Sequence, residues 1–274
     1  MYLLIDIGGT KMRLAASYEG TNLQEVSLFD TPQNFEDAKK IIKEFVLKAD
    51  SSPGGNNTCC GLPGVLNKEK DKLIAAPNLK EWIMKPIKEE LAEIVGPRLY
   101  LENDAGLAGL GEATNGAGKG LGIVAYLTVG TGVGGVRIVD GKIDRSVYGF
   151  EPGHQILILE EDPGVKYYEL ESLVAGAGLE LRFGKKPEEI DNSIWEKAEE
   201  YLAIGIVNTI LFWSPDIVVL GGGLTINERF SLEKINTYVG KYLKVFPNLP
   251  DIKKCELGDK AGLNGALIYL QDKK

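Results

Sequence analysis

Apolar residues in this chain come in two patterns: short unbroken runs that stop at glycines, and longer stretches where they recur every three or four positions. The first pattern predicts buried strands and the second amphipathic helices. Tyr2 to Ser17 reads as a buried strand, a glycine turn and a second strand returning beside it. Phe35, Ala38, Ile41, Ile42, Phe45 and Val46 predict a helix capped by Asn34, with Asp37 in its first turn. Residues 50–58, rich in Ser, Gly, Pro and Asn, read as a loop, and Cys59 to Val65 as a short strand running into a Pro-Gly bend. Pro77 to Trp82 is a polar turn whose aromatic end is either a pocket wall or a packed corner. Leu99 to Leu101 read as a short central strand, with helical spacing from Ala105 onward. Leu121 to Asp140 repeats the strand, glycine turn, strand pattern. Trp195, Ala198, Tyr201, Leu202, Ile206, Ile210 and Leu211 predict a long helix. Asp216 to Leu220 is a fully buried strand leading into Gly221-Gly-Gly, with a helix expected near Asn227, and Leu257 to Leu270 is a strand end, a turn and a terminal helix.

Polar residues that interrupt these patterns are the candidates for chemistry. Asp6 breaks the first apolar run, and a carboxylate inside a strand is costly unless it has a partner. Gly8, Gly9, Thr10 and Lys11 follow it with backbone N–H groups, a hydroxyl and an ammonium in one bend, a set that suits a metal-bound phosphate or, equally, a tight hairpin. Asn103 and Asp104 sit where a strand becomes a helix; they are either an ordinary helix cap or polar groups at the strand edge where α/β sheets bind ligands. Gly64 permits close backbone approach to a ligand. Asn115 to Gly120 resembles a phosphate-binding loop but lacks its first glycine and its Ser or Thr, and it precedes a strand, so it reads as a connection between domains. Gly130, Gly132 and Gly135 spell G-x-G-x-x-G, yet Val136 to Asp140 continues as a strand, which excludes the dinucleotide fingerprint. What remains is a weak internal duplication, with Thr131 and Gly132 placed like Thr10 and Lys11. His154, the only histidine, lies beside Glu151 in a Pro-Gly turn, and Glu171 adds a carboxylate near the start of an apolar segment.

Composition narrows the partners. The 274 residues are 44% hydrophobic and 26% charged, with a formal net charge of −8. That profile argues against a broad grip on nucleic acid and against attraction to anionic membranes. Three cysteines, two of them adjacent, offer neither a disulfide framework nor paired metal-knuckle spacing. Strand-like residues begin at Tyr2 with no charged leader ahead of them, and the run Tyr201 to Trp213 is short of the ~20 residues of a membrane span. A cytoplasmic protein is therefore expected.

Taken in order, these pieces resemble the sugar-kinase branch of the ROK family, within the fold shared by actin, hexokinase and heat-shock ATPases. The resemblance runs nearly end to end. It is carried by Asp6-Ile-Gly-Gly-Thr-Lys11, Gly61-Leu-Pro-Gly64, Asn78-Leu79 with Trp82, Glu102-Asn-Asp-Ala105, Gly130-Thr-Gly-Val-Gly-Gly135, Glu151-Pro-Gly-His154, Glu171, Gly221-Gly-Gly223 and Gly258-Asp-Lys-Ala-Gly-Leu263. It implies a two-domain α/β architecture of the actin-like ATPase (ribonuclease H-like) type with a cleft between the domains. The expected division is residues 1–107 with 262–274 against residues 108–261. It also implies transfer of a phosphoryl group from ATP to a hexose hydroxyl, with glucose as first choice and N-acetylhexosamines, mannose and fructose as alternatives.

The resemblance further implies roles for single residues. Asp104 looks like the general base, and Asn103, Glu151, His154 and Glu171 look like hexose ligands, joined by Gly64 and Asn78. Asp6 would hold Mg²⁺ through water. Gly8, Gly9, Thr10, Lys11, Thr131 and Gly132 would surround the phosphates, and Gly222 and Gly223 would lie against adenosine. Many family members follow the E-x-G-H segment with a cysteine cluster that binds zinc, but Gln155 to Glu171 contains no cysteine, so no zinc is expected. Family members are often dimers, which makes a homodimer the assembly to test. The competing functions are a sugar-responsive transcriptional regulator, which would carry an N-terminal helix-turn-helix, and an ATPase of the same fold acting on something other than sugar.

Overall fold

A computed structural model describes residues 1–49, 56–160 and 166–273. They fall into two compact units: residues 1–114 with 145–149 and 259–274, and residues 115–144 with 150–258. Most of the expected loop, residues 50–55, lies outside the described residues, and Asn57 and Thr58 at its end already belong to a strand.

The first unit is built on a five-stranded sheet. Its strands are β1 (Tyr2–Ile7), β2 (Lys11–Ser17), β3 (Ser27–Asp30) and, after helix α1 (Phe35–Lys48), β4 (Asn57–Leu62). A small hairpin, β5 (Val65–Leu66) and β6 (Leu73–Ala75), then leads to α2 (Ile87–Val95), β7 (Leu99–Asn103) and α3 (Asp104–Asn115). The order is β3-β2-β1-β4-β7, antiparallel from β1 outward through β2 and β3, and parallel from β1 through β4 to β7. Strand alternation divides the core. Leu3, Ile5 and Ile7 face α1 and α2 in one apolar cluster, while Tyr2 and Leu4 join Cys59, Leu107 of α3 and Leu263, Leu267 and Leu270 of the C-terminal helix Ala261–Gln271 in another.

Local sequence explains several of these elements. Asn34 caps α1 by accepting the Glu36 N–H at 2.8 Å, and the buried stripe is Phe35, Ala38, Ile42 and Val46. Trp82 is a packed corner and not a pocket wall: it is fully buried against the Phe35 ring, and its indole N–H donates to the Gln33 carbonyl at 3.0 Å. β7 is not the central strand its apolar run suggests. It ends the sheet, and Leu99 and Leu101 are buried because they join the α1/α2 cluster.

The second unit repeats the topology. β8 (Ile123–Val129), β9 (Val133–Val139) and β10 (Lys142–Ile143) form the antiparallel part. A side hairpin, β11 (Ile156–Glu160) and β12 (Lys166–Glu169), is followed by α4 (Leu170–Val174), α5 (Gly176–Phe183) and α6 (Asn192–Trp213). β13 (Ile217–Gly221), α7 (Gly223–Ile226), α8 (Leu232–Tyr242) and β14 (Asp251–Lys254) complete it. The sheet order is β10-β9-β8-β13-β14, again three antiparallel strands and then a parallel extension. The helix expected near Asn227 starts earlier: Gly222, at φ +86°, turns the chain straight from β13 into the single-turn α7, whose C-cap is Asn227. Among the described residues no helix is long and apolar enough to cross a membrane.

The first unit depends on a close helix crossing. A Cβ on Gly265 of the C-terminal helix would sit 1.7 Å from the Leu107 carbonyl oxygen, and one on Gly111 of α3 would sit 2.4 Å from that of Ala261. We expect Gly265→Ala to lose about 1–3 kcal/mol through overpacking, read as a lower thermal midpoint. Gly240→Ala in α8, where a Cβ would meet only Leu249 Cδ1 at 3.9 Å, should hold or raise the midpoint because alanine is the better helix former.

Candidate functional site

In the first unit the expected residues gather at the carboxyl ends of the parallel strands. The register sets Asp6 of β1 opposite Gly61 of β4, Gly61 opposite Glu102 of β7, and Leu62 opposite Asn103. Gly61 packs against both Asp6 and Asp104, and most tightly against Leu107, whose Cδ1 would stand 3.1 Å from a Cβ there. A Cβ there would lie 3.5 Å from Asp6 Oδ1 and 3.4 Å from the Asp104 Cα. On its other side Asp6 rests on the first turn of the C-terminal helix, where a Cβ on Gly262 would come within 2.6–2.7 Å of its carboxylate. Neither glycine was singled out from the sequence. The signals were there, since a glycine inside an apolar strand marks close backbone approach, and so does one at the start of an apolar helix.

This packing governs the charge on Asp6. Desolvation comes first and the neighbouring Asp104 carboxylate second; together with Asp259 they outweigh the pull of Arg13, so the Asp6 pKa is raised to about 7. Arg13, opposite Asp6 on β2, is itself held by Asp259 at 2.8 Å.

The helix start after β7 resolves the ambiguity between capping and chemistry. Asn103 Oδ1 accepts the Gly106 N–H at 2.8 Å, the bond an N-cap side chain makes to the third helical residue. Asn103 Nδ2 also donates to the Gly64 carbonyl at 3.1 Å. Asp104 is therefore the first helical residue and not the cap; its Oδ1 accepts the adjacent Ala105 N–H at 2.8 Å. Gly64 itself requires glycine, with φ +102° and the Ala75 carbonyl oxygen 2.3 Å from where a Cβ would stand. The buried Glu102 accepts the Asn103 N–H at 3.1 Å and is paired with Lys70 from the β5–β6 turn, which ties that hairpin to β7.

The turn after β1 is closed by the Gly8 N–H donating to the Lys11 carbonyl at 2.8 Å, and the Thr31 hydroxyl donates to Gly8 O at 2.8 Å. Asn78 packs on Gly9, its amide nitrogen 3.0 Å from a Cβ position there. Thr10 is exposed, and the exposed Lys11 ammonium meets Asp30 at 2.5 Å.

The second unit collects the remaining candidates around the β8–β9 turn. The Gly176 N–H donates to Gly130 O at 2.9 Å and the Ala177 N–H to Thr131 O at 3.1 Å, so the start of α5 is docked on that turn. Glu171 Oε2 accepts the Val133 N–H at 2.7 Å and stands 2.5 Å from where a Gly132 Cβ would be. Gly222 packs on Val129, whose carbonyl oxygen is 2.4 Å from its Cβ position, and the Gly223 nitrogen is 3.5 Å from that of Gly130. Thr131, Gly132, Gly222, Gly223 and Glu171 thus share one region.

Glu151 and His154 belong to a 3₁₀ turn, Pro152–His154, that is pressed onto β9: a Cβ on Gly153 would lie 2.2 Å from Val133 O. His154 Nδ1 is 2.7 Å from Glu169 Oε2, a residue the sequence reading passed over in favour of Glu171 two positions on. The His154 pKa is raised first by this hydrogen bond, with the charges of Glu169, Glu171 and Glu151 adding to it. Loss of water around Glu151 raises its pKa, with Glu171 adding and His154 opposing. Among the described residues no group of three His, Cys, Asp or Glu side chains is placed to hold a metal ion.

One magnesium arrangement does suit the first unit. Mg²⁺ keeps most of its waters and takes one or two carboxylates with substrate phosphates. A desolvated Asp6 facing a second carboxylate is a group whose charge a hydrated cation would balance.

Comparison with known proteins identifies the lineage. The family model described as ROK family matches residues 2–273. The chain belongs to the ROK family. An N-acetyl-D-glucosamine kinase from Histophilus somni is 30% identical over 302 residues, covering 97% of each chain. A glucokinase from Thermotoga maritima is 26% identical, covering 98% of this chain and 96% of its own. The crystal structure of a ROK hexokinase from Thermus thermophilus superposes with a TM-score of 0.79 at 27% identity, covering 99% of both chains. The two-sheet α/β architecture is that of the ROK kinases, the actin-like ATPase fold.

The raised Asp6 pKa gives a signed expectation. The folded value lies above the unfolded one, so the associated stability is full below about pH 4 and is lost as pH rises through about 7. Asp6→Asn removes the ionisation. In nucleotide-free, metal-free buffer its thermal midpoint should exceed that of the parent at pH 8, and the gap should close toward pH 4. A gap independent of pH would show that Asp6 does not ionise against its surroundings.

Proposed function

We propose that the chain is an ATP-dependent hexose kinase that transfers the γ-phosphoryl group of ATP to a sugar hydroxyl, with Asp104 as general base. The observation that carries this reading is the division of labour at the start of α3. Asn103 caps the helix, and Asp104 is left beside Asp6 at the carboxyl edge of the sheet. Capping is done by an amide, and the carboxylate that follows it stands next to another acid.

Phosphoryl transfer asks a protein mainly for positioning and charge neutralisation. In this reading Asp104 takes the hydroxyl proton as the sugar oxygen bonds to the γ-phosphorus and the bond to the β-phosphate bridging oxygen breaks. Asn103, Glu151, His154 and Glu171, with Gly64 and Asn78, hold the sugar, whose paired hydroxyls suit carboxylate, amide and imidazole partners. Gly8, whose N–H closes the turn onto the Lys11 carbonyl, shapes the bend; backbone N–H groups at Gly9, Thr131 and Gly132, with the Thr10 hydroxyl and the Lys11 ammonium, meet the phosphates, and Gly222 and Gly223 give adenosine a surface without side chains. Asp6 would hold Mg²⁺ through water, and the bound ion would supply charge neutralisation to the phosphates.

Glucose is the first substrate to test. The similarity to an N-acetyl-D-glucosamine kinase puts N-acetylhexosamines next, ahead of mannose and fructose. A coupled assay with ATP, Mg²⁺ and this panel tests the activity directly. Phosphorylation of none of them would favour a sugar-sensing protein without catalysis.

Asp104→Asn separates the base from the scaffold. Turnover should fall roughly 10²- to 10⁴-fold, the usual contribution of a positioned general base. Hexose affinity and thermal midpoint should stay near parental, because Asn103 supplies the cap. Near-parental turnover would remove Asp104 from the mechanism.

A further inference from the structure

His154 is held by more than its own turn. Gln155 donates through Nε2 to the Pro152 carbonyl at 2.8 Å, and its Oε1 accepts from Asn208 Nδ2 of α6 at 2.8 Å. The Gln155 carbonyl accepts the Leu170 N–H at 2.9 Å, and Ile156 pairs with Glu169 across the β11–β12 hairpin. On the other side, the Ser172 hydroxyl donates to the Glu169 carbonyl at 2.7 Å. Leu170 fills the space over Gly205 of α6, where a Cβ would meet its Cδ2 at 2.5 Å. The backbone at residue 169 is therefore fixed from both directions, and its side chain reaches the imidazole from a firm base.

We propose that Glu169 is a positioning residue for hexose recognition: its carboxylate commits Nδ1 of His154 and leaves Nε2 as the ring atom offered to a sugar hydroxyl. This rests on the kinase reading above for the identity of the ligand, and on geometry for the rest. An ionised carboxylate only accepts hydrogen bonds, so at 2.7 Å it requires the proton to be on Nδ1. Nε2 is then an acceptor in the neutral ring and a donor in the protonated one, and a hydroxyl complements either. Without Glu169 the ring keeps no hydrogen-bond partner among the described residues to select the tautomer or stop rotation about χ2.

The carboxylates facing the imidazole are Glu169 from β12, Glu151 from its own turn and Glu171 from α4. Among the described residues Glu169 is the one that bonds the ring. Glu171 is occupied by the Val133 N–H. The side chain that orients the histidine and the one expected to bind sugar therefore stand two residues apart at the strand-to-helix junction, so one short segment sets both.

The test uses the fact that the chain has a single histidine, so that in protein without a polyhistidine tag its ring signals are unambiguous. Nuclear magnetic resonance of labelled parent, Glu169→Gln and Glu169→Ala would report the tautomer and titration midpoint of His154, beside KM and kcat for the hexose that the parent phosphorylates. In the parent we expect the Nδ1–H tautomer. Glu169→Gln should keep that tautomer, because the amide oxygen still accepts, but with a lower midpoint because the charge is gone. Glu169→Ala should lose the tautomer preference and raise KM roughly 3- to 10-fold, the weight of one hydrogen bond, with kcat within about twofold. Gln should restore KM, and Glu169→Met, which keeps the bulk without an oxygen acceptor, should not, so the hydrogen bond is separated from packing. Unchanged tautomer and midpoint in Glu169→Gln and Glu169→Ala, an unmoved KM in Glu169→Ala, no rescue by Gln, or rescue by Met would each overturn the proposal. If the parent phosphorylates no hexose, the kinase reading fails by itself, and the ring titration still decides whether Glu169 controls the imidazole.

Discussion

A carboxylate stripped of water must be given a proton, a cation or a set of donors, and Asp6 is packed where the chain itself supplies little of any of them. Strand β1 carries it into the sheet, Gly262 removes the side chain that would have kept the C-terminal helix off it, and Asp104 brings a second negative charge. Each of these choices lowers the stability of the folded first unit at neutral pH. The cost is of the kind a binding site carries when the missing charge comes with its ligand. Much of the first unit follows from it: two helices that lack side chains at their crossing, a parallel strand edge with polar ends, and an asparagine that takes over the capping.

The broad pattern was legible because apolar periodicity reports burial. The strand pair around Gly8 and Gly9, helix α1 under its Asn34 cap and the long helix α6 all follow from spacing alone. Repetition was legible too, since the glycine turns at residues 8–9 and 130–132 each join an antiparallel strand pair in sheets of the same order. The position of a strand within its sheet was not. β7 is buried by helices on its face and not by strands on both sides, and an apolar run cannot distinguish the two.

Roles at the site were harder still to read. Asn103 and Asp104 are equivalent as cap formers by residue type, and only the bond from the Gly106 N–H to Asn103 separates them. Glu169 and Glu171 look alike in sequence, two acids flanking a leucine, but the turn from β12 into α4 sends one to an imidazole and the other to a backbone N–H. Gly222 was expected to approach a ligand closely; its positive φ also starts a helix at once, which moved the helix boundary forward by four residues from Asn227 to Gly223. In each case the deciding fact is which hydrogen bond a side chain makes, or a backbone angle, and neither is written in residue type.

The close packing of the C-terminal helix on α3 has a consequence for the order in which the molecule is made. The second unit has all its residues once position 258 has been synthesised, whereas the first draws on residues 259–274 as well as the opening 114. Until that last helix emerges, Leu4, Cys59 and Leu107 lack the apolar surface of Leu263, Leu267 and Leu270, and Asp6 lacks the helix turn it rests on. Domains fold as units during translation. Here the earlier part of the sequence is the part that must wait, so the surroundings of Asp6 and Asp104 are completed only once the helix Ala261–Gln271 has been made.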